Sequence, residues 1–583
     1  MKKETWLFLT GLAVCLLLAF LLAPSAEDGL AVFLQRFAEG TLRRPGFSRA
    51  APVCMLVLAS VYAFAWGILK EETGHFRQGE EHGSAAWADP SAVAKKYAAG
   101  DASNKILTQH VKIGLDPVRH RRNLNTIVCG GSGAGKTRYF CIPNIIQDAG
   151  CSLFLLDPKG ELLQSTGAFL RGRGYTVRVL DLIDMDRSHC YNPFRYLKSE
   201  NDVQKLVTNL FRSTQPPGTK SSDPFWDTAA QMLLLALIFY LLEEAPPEDR
   251  NFACVMELLR SGMKTPEGAH RSALDLLFAE LEQKDREHTA LKYYRSYRAG
   301  SEKTLKSIQI TLASRLEKFN LDSLARLTRA DDMHLEEMGL KKTAIFACVP
   351  DNDSSFNFLV SLMYTQLFQQ LFYLADHSPG GKLPVPVHFL MDEFANIPVP
   401  SEFEKILSVM RSRGIFVSII LQNMAQLKAL FEKQWESIVG NCDELLFLGG
   451  NEKETHRYLS EMLGKETLDV LSRQKSGTRG GSVSYSTIAR ELLTGDEIRT
   501  LPDDQALLFI RGERPVRDRK FDLMKHPNVR LIPQGGADGE TFGEILHEAA
   551  RIAKTDRRAP RMPYEETFYE VVSGEEIEEE ESE

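Results

Sequence analysis

Residues 130–137, GGSGAGKT, constrain this chain more than any other feature of it. They fit the P-loop pattern G-x-x-x-x-G-K-[ST], and the apolar residues 125–129 before them predict a short buried strand, as residues 139–146 predict the start of a helix. Glycines let backbone N–H groups curl around phosphates, while Lys136 can reach the β- and γ-phosphates and Thr137 can hold Mg²⁺. A glycine-rich turn without a ligand is the alternative. The sequence thus predicts an ATP and Mg²⁺ site formed by Gly130, Gly131, Ser132, Gly133, Ala134, Gly135, Lys136 and Thr137.

A second apolar run, residues 385–391, ends in Asp392 and Glu393, which is typical of a Walker B strand. We expect Asp392 to hold Mg²⁺ through water. Glu393 would polarise the attacking water, because ATP hydrolysis needs a positioned base more than covalent chemistry. Acidic residues also end strands simply for solubility. The presence of a P-loop in the same chain favours the catalytic interpretation.

A third apolar, β-branched run, residues 415–421, ends in Gln422. An amide at that position can sense the γ-phosphate or the water, although it can also merely end a strand. Arg411 and Arg413 come just before the run. In ring-shaped ATPases an arginine from the neighbouring subunit completes the site, so either residue is a candidate finger. The alternative is a basic helix terminus that is favourable for the helix dipole.

The N-terminal region predicts a membrane anchor of two spans, residues 6–23 and 53–69, each close to the roughly 20 residues that cross a bilayer. A cleaved signal peptide is the alternative for the first span, since Lys2 and Lys3 precede it. The second span and the need for ATP argue against it. We therefore expect a multi-pass protein of the cell membrane with both ends and the ATPase domain in the cytoplasm. The loop between the spans conflicts with this orientation, because its arginines, Arg36, Arg43, Arg44 and Arg49, exceed what the positive-inside rule predicts outside.

Apolar strand-like runs alternate with helical patterns along most of the chain, which predicts an α/β fold with a parallel, doubly wound sheet. Between residues 198 and 338 the strand pattern is missing, so an all-α insertion is expected there, with residues 232–242 as a buried core helix too short to span a membrane. The predicted domains are the anchor at 1–75, the nucleotide-binding domain at 76–197 and 339–535, the all-α domain at 198–338 and an acidic tail at 536–583. Residues 477–486 are rich in Gly and Ser and predict a flexible loop.

Charge and cysteine usage add two bounds. The last nineteen residues hold ten glutamates and no Lys or Arg, and without them the net charge of −8 becomes about +2. Such a tail is either a disordered solvating segment or a docking arm for a basic partner. The nine cysteines are scattered and include no C-x-x-C pair, so neither a zinc site nor a disulfide framework is indicated.

Further motifs extend over almost the whole chain. They are HGSAAWA at 82–88, DPKGEL at 157–162, NPF at 192–194, FLMDEFANI at 389–397, LQNMAQL at 421–427, NCDELLFLG at 441–449 and SVSYSTIARELLTGDEIRTLP at 482–502. With the anchor and the P-loop, they resemble the TraG-like coupling ATPases of conjugation and type IV secretion.

This resemblance implies a RecA-like nucleotide domain with an inserted all-α domain, in a membrane-anchored hexamer. Such a hexamer would receive a relaxase bound to single-stranded DNA and feed it to the components of a secretion channel. The resemblance makes Lys136 and Thr137 the P-loop pair, Asp392 and Glu393 the Walker B pair, Gln422 the third-motif residue, and Arg411 or Arg413 the finger.

Two other functions stay open at this point. RecA-like rings also serve as double-stranded DNA translocases of the septal type. A docking receptor that recruits protein substrates with little contact to DNA belongs to a different class. An ABC transporter is disfavoured because no LSGGQ-like signature occurs, and a GTPase because no N-K-x-D motif occurs.

Overall fold

The computed structural model describes residues 2–71, 79–100, 103–215, 224–264, 271–400, 402–474 and 482–537. Its contacts divide the chain into two compact units, residues 1–84 with 465–490, and residues 85–464 with 491–583. The predicted acidic tail, apart from residues 536 and 537, lies outside the described residues. The predicted domain boundaries stay predictions.

The helices and strands are numbered in chain order. The helices are α1 Lys2–Ala26, α2 Leu30–Glu39, α3 Ala51–Glu71, α4 Pro90–Tyr97, α5 Pro117–His120, α6 Ile142–Ile146, α7 Glu161–Gly172, α8 Glu200–Ser213, α9 Pro224–Glu244, α10 Phe252–Met263, α11 Ala273–Lys284, α12 Thr289–Arg298, α13 Glu302–Arg315, α14 Asp322–Leu327, α15 Asn357–His377, α16 Phe403–Arg413, α17 Met424–Phe431, α18 Trp435–Gly440, α19 Lys453–Leu463 and α20 Gly495–Arg499. The strands are β1 Asn104–Ile106, β2 Lys112–Gly114, β3 Thr126–Cys129, β4 Ser152–Pro158, β5 Thr176–Asp181, β6 Thr343–Val349, β7 Val387–Met391, β8 Ile415–Leu421, β9 Glu444–Phe447, β10 Lys465–Gln474, β11 Ser482–Glu491, β12 Gln505–Ile510 and β13 Val516–Arg519.

A nine-stranded sheet organises the second unit, in the order β13-β12-β9-β3-β8-β7-β4-β6-β5. The seven strands from β9 to β5 are parallel, and β3, β6, β7 and β8 are buried along their whole length. Strands covered on both faces are continuous apolar runs, which explains why the sequence revealed them. The α/β prediction is confirmed, but the sheet is mixed, because β12 and β13 add an antiparallel edge.

The register of the parallel strands brings their carboxyl ends to one edge of the sheet. Cys129, the last residue of β3, lies beside Leu421 of β8, and Met391 of β7 lies beside Leu156 of β4. The segments that follow these four strands therefore meet, as is general for ligand sites in open α/β sheets.

An all-helical segment interrupts the sheet between β5 and β6. The described residues between 198 and 338 contain α8 to α14 and no strand. The central helix is α9, which packs against α8, α12 and α13 and whose Asp227 binds the Arg315 guanidinium through both carboxylate oxygens at 2.8 and 2.9 Å. It is long and apolar enough to cross a membrane, yet 61% of its most apolar 18 residues are buried inside the protein. The buried core helix predicted at 232–242 is thus found within α9.

Two helices of the first unit match the predicted spans. Segments Thr5–Ala26 and Ala51–Ile68 are long and apolar enough to cross a membrane, and little of either is buried in the protein. Helices α1 and α3 pack together, and Tyr62 lies so close to Gly11 that a β-carbon there would stand 2.1 Å from the phenol oxygen. Between them, the Asp28 carboxylate pairs with Arg36 at 2.6 Å and Arg43 at 2.7 Å. Two of the four arginines that conflicted with the expected orientation are therefore paired within their own loop.

A two-stranded hairpin of β10 and β11 also belongs to the first unit. The hydroxyl oxygen of Thr467 in β10 accepts the N–H groups of His82 and Gly83 at 3.0 and 3.2 Å. The flexible loop predicted at 477–486 is wrong for residues 482–486, which lie in β11, because alternating Ser, Val, Tyr and Thr suit a pleated strand. Residues 477–481 lie outside the described part of the chain.

Candidate active site

The P-loop is a tight turn fastened to two neighbouring strands. Gly130 donates its N–H to the Leu421 carbonyl at the end of β8 at 3.0 Å, and Gly131 donates to the Gly449 carbonyl beyond β9 at 2.8 Å. Gly135 has a φ of 81°, and a β-carbon there would stand 2.4 Å from the Tyr139 ring, so the position needs glycine. Hydrogen bonds to the ends of two strands thus hold the start of the loop, and the Tyr139 ring packs closely against its end.

The helix after the loop begins two residues earlier than predicted. Thr137–Cys141 form one π-helical turn that continues into α6. Widened turns of this kind occur frequently at functional sites.

The Lys136 ammonium group is bound by the loop itself. It is 9% exposed and donates to the carbonyl oxygens of Gly130 at 2.8 Å and Gly131 at 3.3 Å. These acceptors are neutral, and the lysine charge also acts on the nearby Asp392 carboxylate. The Lys136 side chain is therefore available to a phosphate oxygen at the same loop.

Thr137 and Asp392 bring the P-loop and the end of β7 together. The threonine hydroxyl donates to the Asp392 carboxylate at 3.2 Å. Burial raises the pKa of Asp392 above its ordinary value. A hydroxyl and a carboxylate are the hard oxygen ligands that Mg²⁺ prefers. Because burial makes the negative charge of a carboxylate unfavourable, a bound cation stabilises that charge. The two side chains therefore fit a magnesium ion.

Glu393 lies between two amide donors. One carboxylate oxygen, Oε2, accepts the Asn396 amide at 2.9 Å, and the other, Oε1, is 3.5 Å from the Gln422 amide nitrogen. The backbone of Glu393 is left-handed, with a φ of 49°, which is uncommon for a residue with a side chain. The structure thus brings together Lys136, Thr137, Asp392, Glu393 and Gln422 at one edge of the sheet.

Arg411 and Arg413 lie at the opposite edge. They precede the amino end of β8, whereas Gln422 follows its carboxyl end, and a seven-residue strand separates the two by about 20 Å. Arg413 binds Asp376 at 2.8 and 3.2 Å and lies over the Phe372 ring. Within the described residues, the hydrogen bond of the Arg411 guanidinium goes to the backbone oxygen of Pro117, at 3.2 Å. Neither arginine reaches the site of its own chain, and their role as fingers stays a prediction about a neighbouring subunit.

Lys520 is a part of the site that the sequence did not reveal. It follows β13, is 9% exposed and donates to the Ala134 carbonyl of the P-loop at 3.1 Å, with its ammonium 5.3 Å from the centre of the Tyr139 ring. Burial lowers its pKa. Residues 511–520, RGERPVRDRK, are rich in arginine and end in Lys520, but the contact of this lysine with the P-loop depends on the antiparallel edge strands.

Asp157, in the DPKGEL motif, is a second missed residue. It lies in β4, fully buried, and its carboxylate accepts the N–H groups of Leu162 and Leu163 at 2.9 and 2.7 Å. Burial raises the pKa of Asp157 to about 7, and the nearby negative charge of Asp392 acts in the same direction. The DPKGEL motif was the signal that could have pointed to Asp157. An acidic residue at a strand end did not, however, indicate that its carboxylate would cap the next helix.

A cavity of about 490 Å³ opens beside the π-helical turn. It is lined by Thr137 and Arg138, by residues of α6 and α7, and by Leu523, Met524 and Gln534 near the end of the described chain. This volume lies within the range of small-molecule sites.

A family model described as type IV secretory system conjugative DNA transfer matches residues 90–533, more than half of the chain. The chain belongs to this family. The matched range of the conjugative DNA transfer family includes the P-loop, Asp392, Glu393, Gln422 and Lys520, and ends one residue before Gln534 of the cavity.

Curated relatives and solved structures are also similar. The protein VirD4 of Rhizobium rhizogenes and that of Agrobacterium fabrum are each 25% identical over 421 residues, covering 70% of this chain but only 60% of the relative. The coupling protein TrwBdeltaN70 in its unbound form is 16% identical with a TM-score of 0.54, covering 76% of this chain and 96% of that one. The plasmid coupling protein TrwB in complex with ADP and Mg²⁺ is 17% identical with a TM-score of 0.53, covering 74% and 92%. At these identities the structural likeness shows the fold.

Proposed function

We propose that the chain is a membrane-anchored ATPase that couples DNA to a type IV secretion channel during conjugative transfer. The single observation that carries the proposal is the Thr137–Asp392 contact, which assembles a P-loop and a Walker B carboxylate within a chain of this family. The cargo is a relaxase with its single-stranded DNA, and the working form is a homohexamer.

Each side chain of the site has one task in this proposal. Thr137 and Asp392 hold Mg²⁺, which, when bound, neutralises charge that develops on the phosphates. Lys136 leaves the carbonyls of Gly130 and Gly131 for phosphate oxygens. Glu393 accepts a proton from the attacking water at Oε1, and Gln422 orients that water, since its amide already faces the same oxygen at 3.5 Å.

The nucleoside end of ATP would occupy the cavity beside Thr137 and Arg138. Backbone N–H groups at the start of the helix bind the phosphates nearest the sugar, so the base lies beyond them. Met524, which is 54% exposed, offers the apolar surface that a base needs, and Gln534 can donate or accept a hydrogen bond.

The anchor places the protein in the cell membrane. Helices α1 and α3 cross it, and the need for ATP places the sheet and the helical segment in the cytoplasm. The apolar side chains that α1 and α3 expose support this placement, among them Trp6, Leu56 and Phe64, each more than two-thirds exposed.

ATP hydrolysis by the full-length, detergent-solubilised chain tests the proposal. We expect Mg²⁺-dependent hydrolysis that single-stranded DNA stimulates more than double-stranded DNA of the same length. Lys136→Ala should abolish hydrolysis while leaving membrane insertion intact, and Lys453→Ala, an exposed lysine of α19, is the control that should retain it.

Three outcomes would contradict it. Parental hydrolysis by Lys136→Ala would refute the P-loop assignment. Stronger stimulation by double-stranded DNA would favour the septal type of translocase. Capture of a basic protein partner without any turnover of ATP would favour a docking receptor.

A further inference from the structure

The segment after β7 contains a side chain whose position no step of the proposed function explains. Asn396 lies three residues beyond Glu393 and is exposed, yet its amide is directed back to the Glu393 carboxylate, 2.9 Å from Oε2. The Asn396 backbone N–H donates to the Glu393 carbonyl at the same distance. Two hydrogen bonds thus close a short turn around the proposed base.

We propose that Asn396 is the positioning residue for Glu393. Its amide fixes Oε2, and because a carboxylate is planar, fixing one oxygen directs Oε1 towards Gln422. The 3.5 Å between Oε1 and the Gln422 amide is too long for a strong direct bond. Oε1 therefore keeps a lone pair for the attacking water, as a general base must. This inference rests on the proposed function, in which Glu393 is that base.

The surroundings of Asn396 fix its backbone. Its carbonyl oxygen accepts the side-chain amide of Asn357, the first residue of α15, at 2.8 Å. Asn357 is 2% exposed. The Tyr364 hydroxyl of α15 also donates to the carbonyl of Pro398, which lies two residues after Asn396. The turn is thus fastened to α15 at two points.

Helix α15 also contacts the all-helical segment. The Asn209 amide of α8 donates to the Ser361 carbonyl at 3.2 Å and to the Thr365 hydroxyl at 2.9 Å. A continuous set of polar contacts therefore leads from α8 through α15 to Asn396 and Glu393. The test addresses the last step of this set, from Asn396 to Glu393.

Steady-state and single-turnover hydrolysis of Mg²⁺–ATP by the full-length chain tests this step. Asn396→Ala should lower kcat about 10- to 100-fold, because a misdirected base costs rate, and should leave KM within about twofold. Asn396→Asp keeps the volume but places a second carboxylate against Oε2, so its loss should be at least as large. Asn396→Gln keeps the amide and should recover part of kcat. Asn201→Ala, an exposed asparagine in the first turn of α8, is the matched control and should have the parental kcat.

A double variant separates positioning from a structural role. If Asn396 acts only through Glu393, adding Asn396→Ala to Glu393→Gln should cause no further loss in the single-turnover rate, whereas a structural role would lower both backgrounds equally. Two results would overturn the inference, provided that Glu393→Gln itself has lost hydrolysis. One is a parental kcat in both Asn396→Ala and Asn396→Asp, and the other is full additivity of the losses in the double variant. Parental hydrolysis by Glu393→Gln would instead refute the proposed role of the base, and the inference with it.

Discussion

Asp392 and Glu393 are adjacent carboxylates with different surroundings. Asp392 is 6% exposed and faces the Thr137 hydroxyl, while Glu393 is partly exposed and faces two amides. Identical chemical groups in unlike environments can carry separate tasks. Binding of Mg²⁺ and proton transfer should therefore be separable by substitution.

Glu393→Gln should retain ATP binding and lose hydrolysis by about 10² or more, because the amide keeps the shape but accepts no proton. Asp392→Asn should instead weaken nucleotide binding that depends on Mg²⁺. Binding of a fluorescent ATP analogue, with and without EDTA, together with hydrolysis rates, distinguishes the two variants. An equal loss of nucleotide binding in both would refute the division of roles.

At the scale of elements, a buried histidine between β7 and β8 makes the stability of the fold depend on pH. The His388 ring of β7 lies 2.8 Å from the Ser418 hydroxyl of β8 and stacks on Phe416 at 4.4 Å between centres. Burial lowers the pKa of His388 from 6.5 to about 3. The folded chain therefore binds fewer protons here than the unfolded chain, so this contribution to stability is complete above pH 6.5 and is lost as the pH falls towards 3.

Between pH 7 and pH 5, His388 alone should reduce the free energy of unfolding by about 2 kcal/mol. His388→Gln, which can still bond to Ser418 without titrating, should lose less Tm over this interval than the parent does. Differential scanning fluorimetry of the solubilised chain measures it. His377→Gln, at an exposed position of α15, is the control and should follow the parent. If His388→Gln loses as much Tm over this interval as the parent does, other groups govern this pH dependence.

The elements that the sequence predicted share one physical property. Buried parallel strands are apolar along their whole length, so β3, β7 and β8 were visible, and Gly130, Asp392 and Gln422 mark where they end. In the antiparallel edge, β13 was missed for the opposite reason, because it alternates buried and exposed residues over only four positions. Strand β12 is buried from Ala506 to Ile510 and is an apolar run that was not recognised in the sequence. Contacts of Lys520 and Asn396 could not be predicted, because they depend on how a loop folds back rather than on any pattern.

At the scale of the whole molecule, the position of the two arginines bears on assembly. Both lie at the edge of the sheet away from the active site of their own chain. They could therefore complete only the active site of a second subunit. The guanidinium of Arg413 is already held by Asp376 through two bonds. Arg411 has no such carboxylate partner among the ion pairs of the described residues. We therefore expect Arg411, rather than Arg413, to be the finger.

Arg411→Ala should lower turnover about 10³-fold with a much smaller loss of ATP binding. Arg413→Ala is its matched comparison and should retain most of the turnover. Mixing Arg411→Ala subunits with Lys136→Ala subunits should restore some hydrolysis, because some interfaces then pair an intact P-loop with an intact arginine. If neither arginine variant is complemented in such mixtures, both act within their own subunit or only structurally, and the finger hypothesis fails.

The burial of Lys136 affects folding as well as the site. The residue is 9% exposed, and its ammonium group donates to the carbonyl oxygens of Gly130 and Gly131. The loss of its hydration is therefore a cost of reaching the native state and not of binding nucleotide, which leaves the loop preorganised. An apolar side chain at this position would avoid that cost but could not bind a phosphate, so the predicted role of Lys136 opposes its contribution to stability.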